Sequence, residues 1–197
     1  MFTPEQTALV NQLIRQRRSV YPAQFTGEVI PDALIEQLLE NANWAPTHGK
    51  TEPWRFVVFA GAGLQKLAEF QATMYQKLTP PEAFKQEKYD KLLSNPLKCS
   101  HIIALGMKRQ ESGKIPEIEE VEAVACAVQN LYLSATAHNL GGYWGTGGVT
   151  YMPEAKSFFG LGDADSLLGF FYVGYPAQPS PEGQRKPVSE KTTWVRG

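Results

Sequence analysis

Helical and strand-like patterns alternate along this chain and no second apolar core is visible, which predicts a single domain of the α/β or α+β class over residues 1–197. Two further observations support that reading. The 197 residues fit one domain, and a composition of 43% hydrophobic and 11% aromatic residues suffices for a full core and excludes a disordered chain.

The elements follow in order. Thr3-Pro4-Glu5-Gln6 reads as a helix start, with Thr3 as cap, Pro4 at the first helical position and Gln6 completing a capping box. Leu9/Leu13 and Val10/Ile14 then lay an apolar stripe along one face. A second helix begins at Pro31-Asp32, buries Leu34, Ile35, Leu38, Leu39 and Ala42, and ends before Pro46. Asn43 to Pro53 is a loop, and Trp54–Ala60, rich in aromatic and β-branched residues, is a strand. Gly61-Ala62-Gly63 turns the chain into a third helix near Leu64–Leu78, and the polar stretch from Pro80 to Asn95 is helical in part. Ser100–Lys108 is a second strand. The longest helix runs from Pro116 to about Asn139 and is apolar around much of its circumference, so it belongs in the centre of the fold.

Gly141–Gly148 is glycine-dense and leads into a short strand; Pro153–Phe159 is a small helix stopped by Gly160; Leu167–Gly174 is a continuous apolar strand. Residues 176–197 form a proline-rich extension with few core residues, ending in the strand-like Thr192-Thr193-Trp194-Val195. Such an extension is either frayed or laid on another surface.

Several function classes are excluded at this level. Nineteen Lys and Arg against twenty Asp and Glu give a net charge of −1, without the footprint of a dedicated nucleic-acid or anionic-membrane binder. The longest apolar runs, Ala123–Val128 and Leu167–Val173, fall far short of the ~18–20 residues of a membrane span. Glu5 stands where a signal peptide is basic, and no small-residue cleavage site follows, so a cytoplasmic location is expected. Cys99 and Cys126 make neither a disulfide framework nor a zinc pattern. Cys99 and His101 share a strand face, where burial fits better than metal ligation, and no metal site is expected. No Gly-x-Ser-x-Gly, His-Glu-x-x-His or Cys-x-x-Cys pattern supplies a nucleophile or metal centre, so no catalytic side chain is assigned.

Four segments carry the functional signal. Arg17-Arg18-Ser19 either complements the dipole of the first helix or clamps an anion through guanidinium forks. Gly61-Ala62-Gly63 imitates a dinucleotide fingerprint, but Lys66 replaces the third glycine, so a tight turn explains it better. The Gly141–Gly148 segment is either a flexible turn or a bare backbone that a flat ligand approaches closely. Trp44–Trp54 places two tryptophans, His48 and Lys50 in an eleven-residue loop, either a proline-bent turn pinned by tryptophan burial or a binding loop between rigid elements.

Arg-Arg-Ser at 17–19, Ala-Pro-x-His-x-x-x-x-Pro-Trp at 45–54 and Gly-Gly-x-Trp at 141–144, in that order with the long helix between the last two, resemble the nitroreductase family of flavoproteins. The resemblance runs from Arg17 to about Tyr175 and is strongest to a compact subset with a His-containing loop. It implies an α+β fold: a central, mainly antiparallel sheet flanked by helices, with residues 176–197 laid on the partner subunit of an obligate homodimer that binds FMN at its interface. It implies that Arg17, Arg18 and Ser19 hold the phosphate, ribityl and ring edge of FMN. Trp44 and His48 would reach the flavin, one of them from the other subunit, and Trp144, Gly145 and Thr146 would line its ring; Arg185, before Pro187, would meet the phosphate. The implied activity is an NAD(P)H oxidoreductase reducing nitroaromatic or quinone-like acceptors through flavin N5, with NAD(P)H as co-substrate. The alternatives are a flavoenzyme with a different acceptor, an enone or halogenated aromatic, and a flavin-binding carrier or sensor without turnover. Glu52 departs from the glutamine usual in the family, and a carboxylate there would disfavour an anionic reduced flavin.

Overall fold

The computed structural model describes residues 1–197. Nine elements carry the fold: α1 (Pro4–Gln16), α2 (Asp32–Asn43), β1 (Trp54–Ala60), α3 (Ala62–Leu78), α4 (Gln86–Ser94), β2 (His101–Met107), α5 (Glu117–Ala137), β3 (Gly141–Gly145) and β4 (Ser166–Gly174). The four strands form one sheet in the order β1-β2-β4-β3, every neighbouring pair antiparallel. Helices cover both faces, so the class is α+β.

Alternation along β2 explains the two-sided core. Ile103, Leu105 and Met107 join Phe171 and Val173 of β4 against α2 and α5. Ile102, Ala104 and Phe170 point the other way, toward α3 and the short 3-10 turns at Pro153–Phe159. A strand buried on both sides reads as an unbroken apolar run, as β2 does. α5 crosses the middle of the first face, burying Val124, Ala127, Val128 and Leu131 completely.

Polar anchors fix the connections. The α1 start is a capping box: Thr3 N donates to Gln6 Oε1 at 2.9 Å, and Gln6 N donates to Thr3 Oγ1 at 3.3 Å. Arg109 pairs with the buried Glu120 of α5 and its amide donates to Asp165 Oδ1 at 2.9 Å, which ties the loop after β2 to α5 and β4. Cys99 and His101 are buried, as the sequence reading expects. Ser100 Oγ accepts from Ile30 N at 2.7 Å and can donate to His101 Nδ1 at 2.9 Å, leaving Nε2 to donate to Asp32 Oδ1 at 3.0 Å.

Three expectations change. Gly141–Gly145 is not a loop leading to a strand; it is β3 itself. Its glycines are there for space: a Cβ on Gly141 would lie 2.8 Å from Val20 Cβ, and one on Gly142 would collide with the Phe171 ring. The apolar stripe of α1 is real but buries nothing, with Leu9, Val10 and Ile14 exposed. The Thr192–Val195 cluster forms no strand; beyond Pro176 the chain is exposed and holds only a 3-10 turn at Val188–Lys191.

Candidate functional site

Tyr132, buried in α5, gathers three of the residues singled out in the sequence. Its hydroxyl accepts from the Trp144 amide at 2.7 Å and lies 3.4 Å from Ser19 Oγ. Its ring stacks edge-on against Phe171, with centroids 4.8 Å apart, and the Arg17 guanidinium carbon sits 4.9 Å from the ring centroid. Two backbone features bring these groups together. The chain after α1 runs beside β3 through a parallel bridge between Ser19 and Gly142, with Val20 N donating to Gly142 O at 2.9 Å. Trp144 is held in turn by its indole, which donates to Leu168 O at 2.8 Å.

Arg17 and Arg18 differ in their engagement. Arg17 is half-buried and its guanidinium has no carboxylate or carbonyl partner, only the Tyr132 ring. A half-shielded cation without a counter-ion is suited to an anion from outside the chain. Arg18 is already occupied: Nη1 donates to Arg15 O at 2.6 Å and Arg17 O at 2.8 Å, and Nε donates to Pro181 O at 3.0 Å. It closes the carbonyl end of α1, the dipole-complementing role, and also pins the C-terminal extension. Gly183 packs directly on its guanidinium, and Arg185 follows two residues later, exposed. α1, the end of α5 and residues 175–183 enclose a groove of about 1240 Å³ lined by Arg15, Arg18, Val20 and Asn139 among others.

Beyond β3, Gly145 is packed between the Tyr143 and Tyr172 rings, and the next residues leave their backbone bare. The amides of Thr146, Gly147 and Gly148 donate to no acceptor in the chain. Three consecutive N–H groups without an acceptor in the chain, following Trp144 in sequence, form a donor edge for a flat ligand rich in acceptors.

Trp44 and His48 are not part of this cluster within one chain. Trp44 is exposed at the end of α2, its indole donating to Glu40 Oε1 at 3.0 Å. The end of α2 is bonded to α5 through Asn41, which meets Ser134 and Asn130. Those positions lie two residues either side of Tyr132, so they point to the opposite side of the helix. His48 Nδ1 is 2.6 Å from Glu119 Oε2, thirteen residues before Tyr132 and therefore about 20 Å away along α5. The loop that carries His48 is conformationally strained, with Lys50 at φ 54° and Glu52 at φ 43°, left-handed values unusual outside glycine. Glu52 is exposed, and its carbonyl accepts from Arg55 Nη1 at 3.0 Å.

Tyr132 and the amides of Gly147 and Gly148 were not among the residues named for the site, whereas Thr146 was expected to line the ring. A hydroxyl in the middle of an otherwise apolar central helix was the available signal for Tyr132. For the amides the signal is the glycine density of residues 141–148, which marks a bare backbone without saying which N–H groups stay unpaired.

Relatives agree with this architecture. The Bacillus subtilis protein YfhC, provisionally named an NAD(P)H nitroreductase, is 28% identical over 189 residues, 95% of each chain. YdjA of Escherichia coli, named in the same way, is 30% identical over 142 residues, 72% of this chain and 75% of its own. Among solved structures, a nitroreductase-like family protein from Bacillus cereus superimposes with a TM-score of 0.82 at 27% identity, covering 100% of this chain and 98% of that one. A provisionally named nitroreductase of Desulfovibrio desulfuricans, solved in complex with FMN, shares the fold with a TM-score of 0.70 at 24% identity, covering 100% and 99%. The description of the nitroreductase family matches residues 14–175, from the last turn of α1 through β4, and the chain belongs to that family.

Proposed function

We propose that the chain is an FMN-dependent oxidoreductase that takes reducing equivalents from NAD(P)H and delivers them to an electron-poor acceptor, a nitroaromatic or quinone-like compound. The observation that carries this reading is the Tyr132 cluster: Arg17 without a counter-ion, Ser19 and Trp144 on one hydroxyl, and three unpaired amides beyond Trp144. The family membership and the FMN bound to the Desulfovibrio relative support it.

The residues present fit that cofactor. Arg17 and Ser19 would hold its phosphate and ribityl hydroxyls, with Arg18, which lines the groove, and the exposed Arg185 two residues beyond Gly183 adding positive charge. Trp144 and Gly145 would wall the ring, and the Thr146–Gly148 amides would donate to its polar edge. When bound, FMN supplies two-electron hydride chemistry at N5, and the protein's part is position and electrostatics.

A homodimer completes the reading. Trp44 and His48, remote from Arg17 in one chain, would approach the flavin held by the other. The exposed Leu9, Val10 and Ile14 stripe and residues 176–197 would then cover the partner. A cytoplasmic location accords with the absence of any helix long and apolar enough to cross a membrane.

The test is spectroscopic. Protein incubated with FMN and desalted is expected to retain a flavin spectrum that NADH or NADPH bleaches and a nitroaromatic or quinone restores. A colourless protein overturns the reading. Bound flavin that neither nucleotide bleaches replaces it with a carrier or sensor.

A further inference from the structure

On the face of the sheet opposite α5 lies a cavity of about 110 Å³ between α3, α4 and β4. That is room for three or four waters at about 30 Å³ each, or for one small polyatomic ion. Gln71 of α3 lines it and is 2% exposed, yet its Nε2 donates to nothing, the single buried side-chain nitrogen or oxygen without a partner. Buried donors are ordinarily satisfied, so an orphan at a cavity wall points to a missing acceptor.

The rest of the lining has one chemical bias. Lys88, Lys91, Asn95 and Tyr172 supply the other polar groups, each able to donate, and no carboxylate lines the cavity. Lys88 lies over the Tyr75 ring at 4.5 Å, and Lys91 meets the exposed Glu87 at 2.5 Å. Asp90, also on α4, is engaged outside by Gln86 at 2.8 Å. The ammonium groups of the exposed Lys88 and Lys91 rest on Tyr75 and Glu87; turned to the cavity they would, with the buried amide and the phenol, select a negative charge with several acceptor oxygens.

We propose that this cavity is a binding site for a small oxyanion, a carboxylate- or phosphate-sized group held by Gln71 Nε2 and the ammonium groups of Lys88 and Lys91. Its position links it to the bare turn after β3. A Cβ on Gly148 would lie 3.4 Å from Leu92 and 3.5 Å from Gln71 Oε1, so an occupant here buttresses the segment carrying the free amides.

The experiment is an NMR titration of the full-length, flavin-free protein, read at the Gly148 backbone amide. Sodium phosphate and sodium acetate are compared with sodium chloride at matched ionic strength. A saturable shift with phosphate or acetate is expected, with affinity lowered about tenfold or more in Gln71→Met and in the Lys88→Gln/Lys91→Gln pair. Gln71→Met conserves volume and removes an unpaired donor, and the two lysines are on the surface, so all variants are expected to fold. No saturable shift, a shift matched by chloride, or one unchanged in both variants overturns the proposal. Displacement of phosphate by FMN but not by riboflavin would identify the oxyanion as the cofactor's own phosphate, and the Arg17 clamp would then fail while this site stands. Phosphate retained beside bound FMN would identify a free anion.

Discussion

α1 and α5 carry apolar residues at the same helical spacings, yet α5 buries nine of its residues and α1 buries none. The contrast is not one of local quality. α1 has the complete capping box, whereas α5 starts on Pro116 with no side-chain cap. The difference lies in what faces each stripe: α5 meets the sheet and α2, while Leu9, Val10 and Ile14 of α1 stay exposed and join neither apolar core. Apolar spacing therefore shows that a helix has a covering surface, and not that the surface belongs to the same molecule. The proposed homodimer gives α1 that surface, and it places Arg17, at the end of α1, near the boundary between subunits.

The contrast can be broken by mutation, and the largest effect is expected in α5. Leu131→Ala removes a fully buried side chain from the central core and is expected to lower unfolding free energy by about 2–5 kcal/mol, read by denaturant titration. A value under 1 kcal/mol would mean that α5 is not the central support. Next, Leu9→Lys with Ile14→Lys is expected to leave the circular-dichroism spectrum unchanged while shifting the size-exclusion mass from dimer to monomer, since each apolar side chain buried at an interface is worth about 1.5–3 kcal/mol. A dimer that survives both substitutions would show that the stripe is uncovered in solution. Thr3→Ala, which deletes the cap but no packing, is expected to cost about 1 kcal/mol, resolved as a small fall in midpoint.

The smallest effect near neutrality concerns the other face of the sheet. Burial pushes the Cys99 thiol from 9.0 up to about 12. Between about 9 and 12 the unfolded chain therefore binds fewer protons than the folded one, and stability falls as pH rises through that window. Cys99→Ala is expected to flatten that alkaline slope and leave the pH dependence below 9 unchanged; an unaltered slope would place the cause elsewhere.

Much of the fold was legible because its signals are local. Residues 54–60 show β-branched and aromatic residues, Pro4 and Gln6 mark a helix start, and Val124, Val128 and Leu131 mark a central helix. What escaped depends on long-range contacts. Gly141–Gly145 looks like a turn because glycine is a poor strand former, yet it pairs with β4 where Phe171 and Val20 leave no room for a side chain. Glu120 stands among the acidic residues of a first helical turn, where solvent exposure is the natural reading, and is instead buried against Arg109. In the site, Arg17, Ser19 and Trp144 were legible as motif residues and do converge. Tyr132, on which they converge, sits in the apolar central helix and belongs to none of the motifs, and the orphan amide of Gln71 is invisible without the packing around it.

The proposed flavin site rests on Arg17, whose guanidinium has a ring beneath it and no counter-ion, so FMN titration of the wild type against Arg17→Ala is the most direct measurement. Loss of one charged hydrogen-bonding partner predicts binding weakened about tenfold or more, with the fold retained. Equal affinities in the two proteins, or no FMN binding by the wild type, would contradict it.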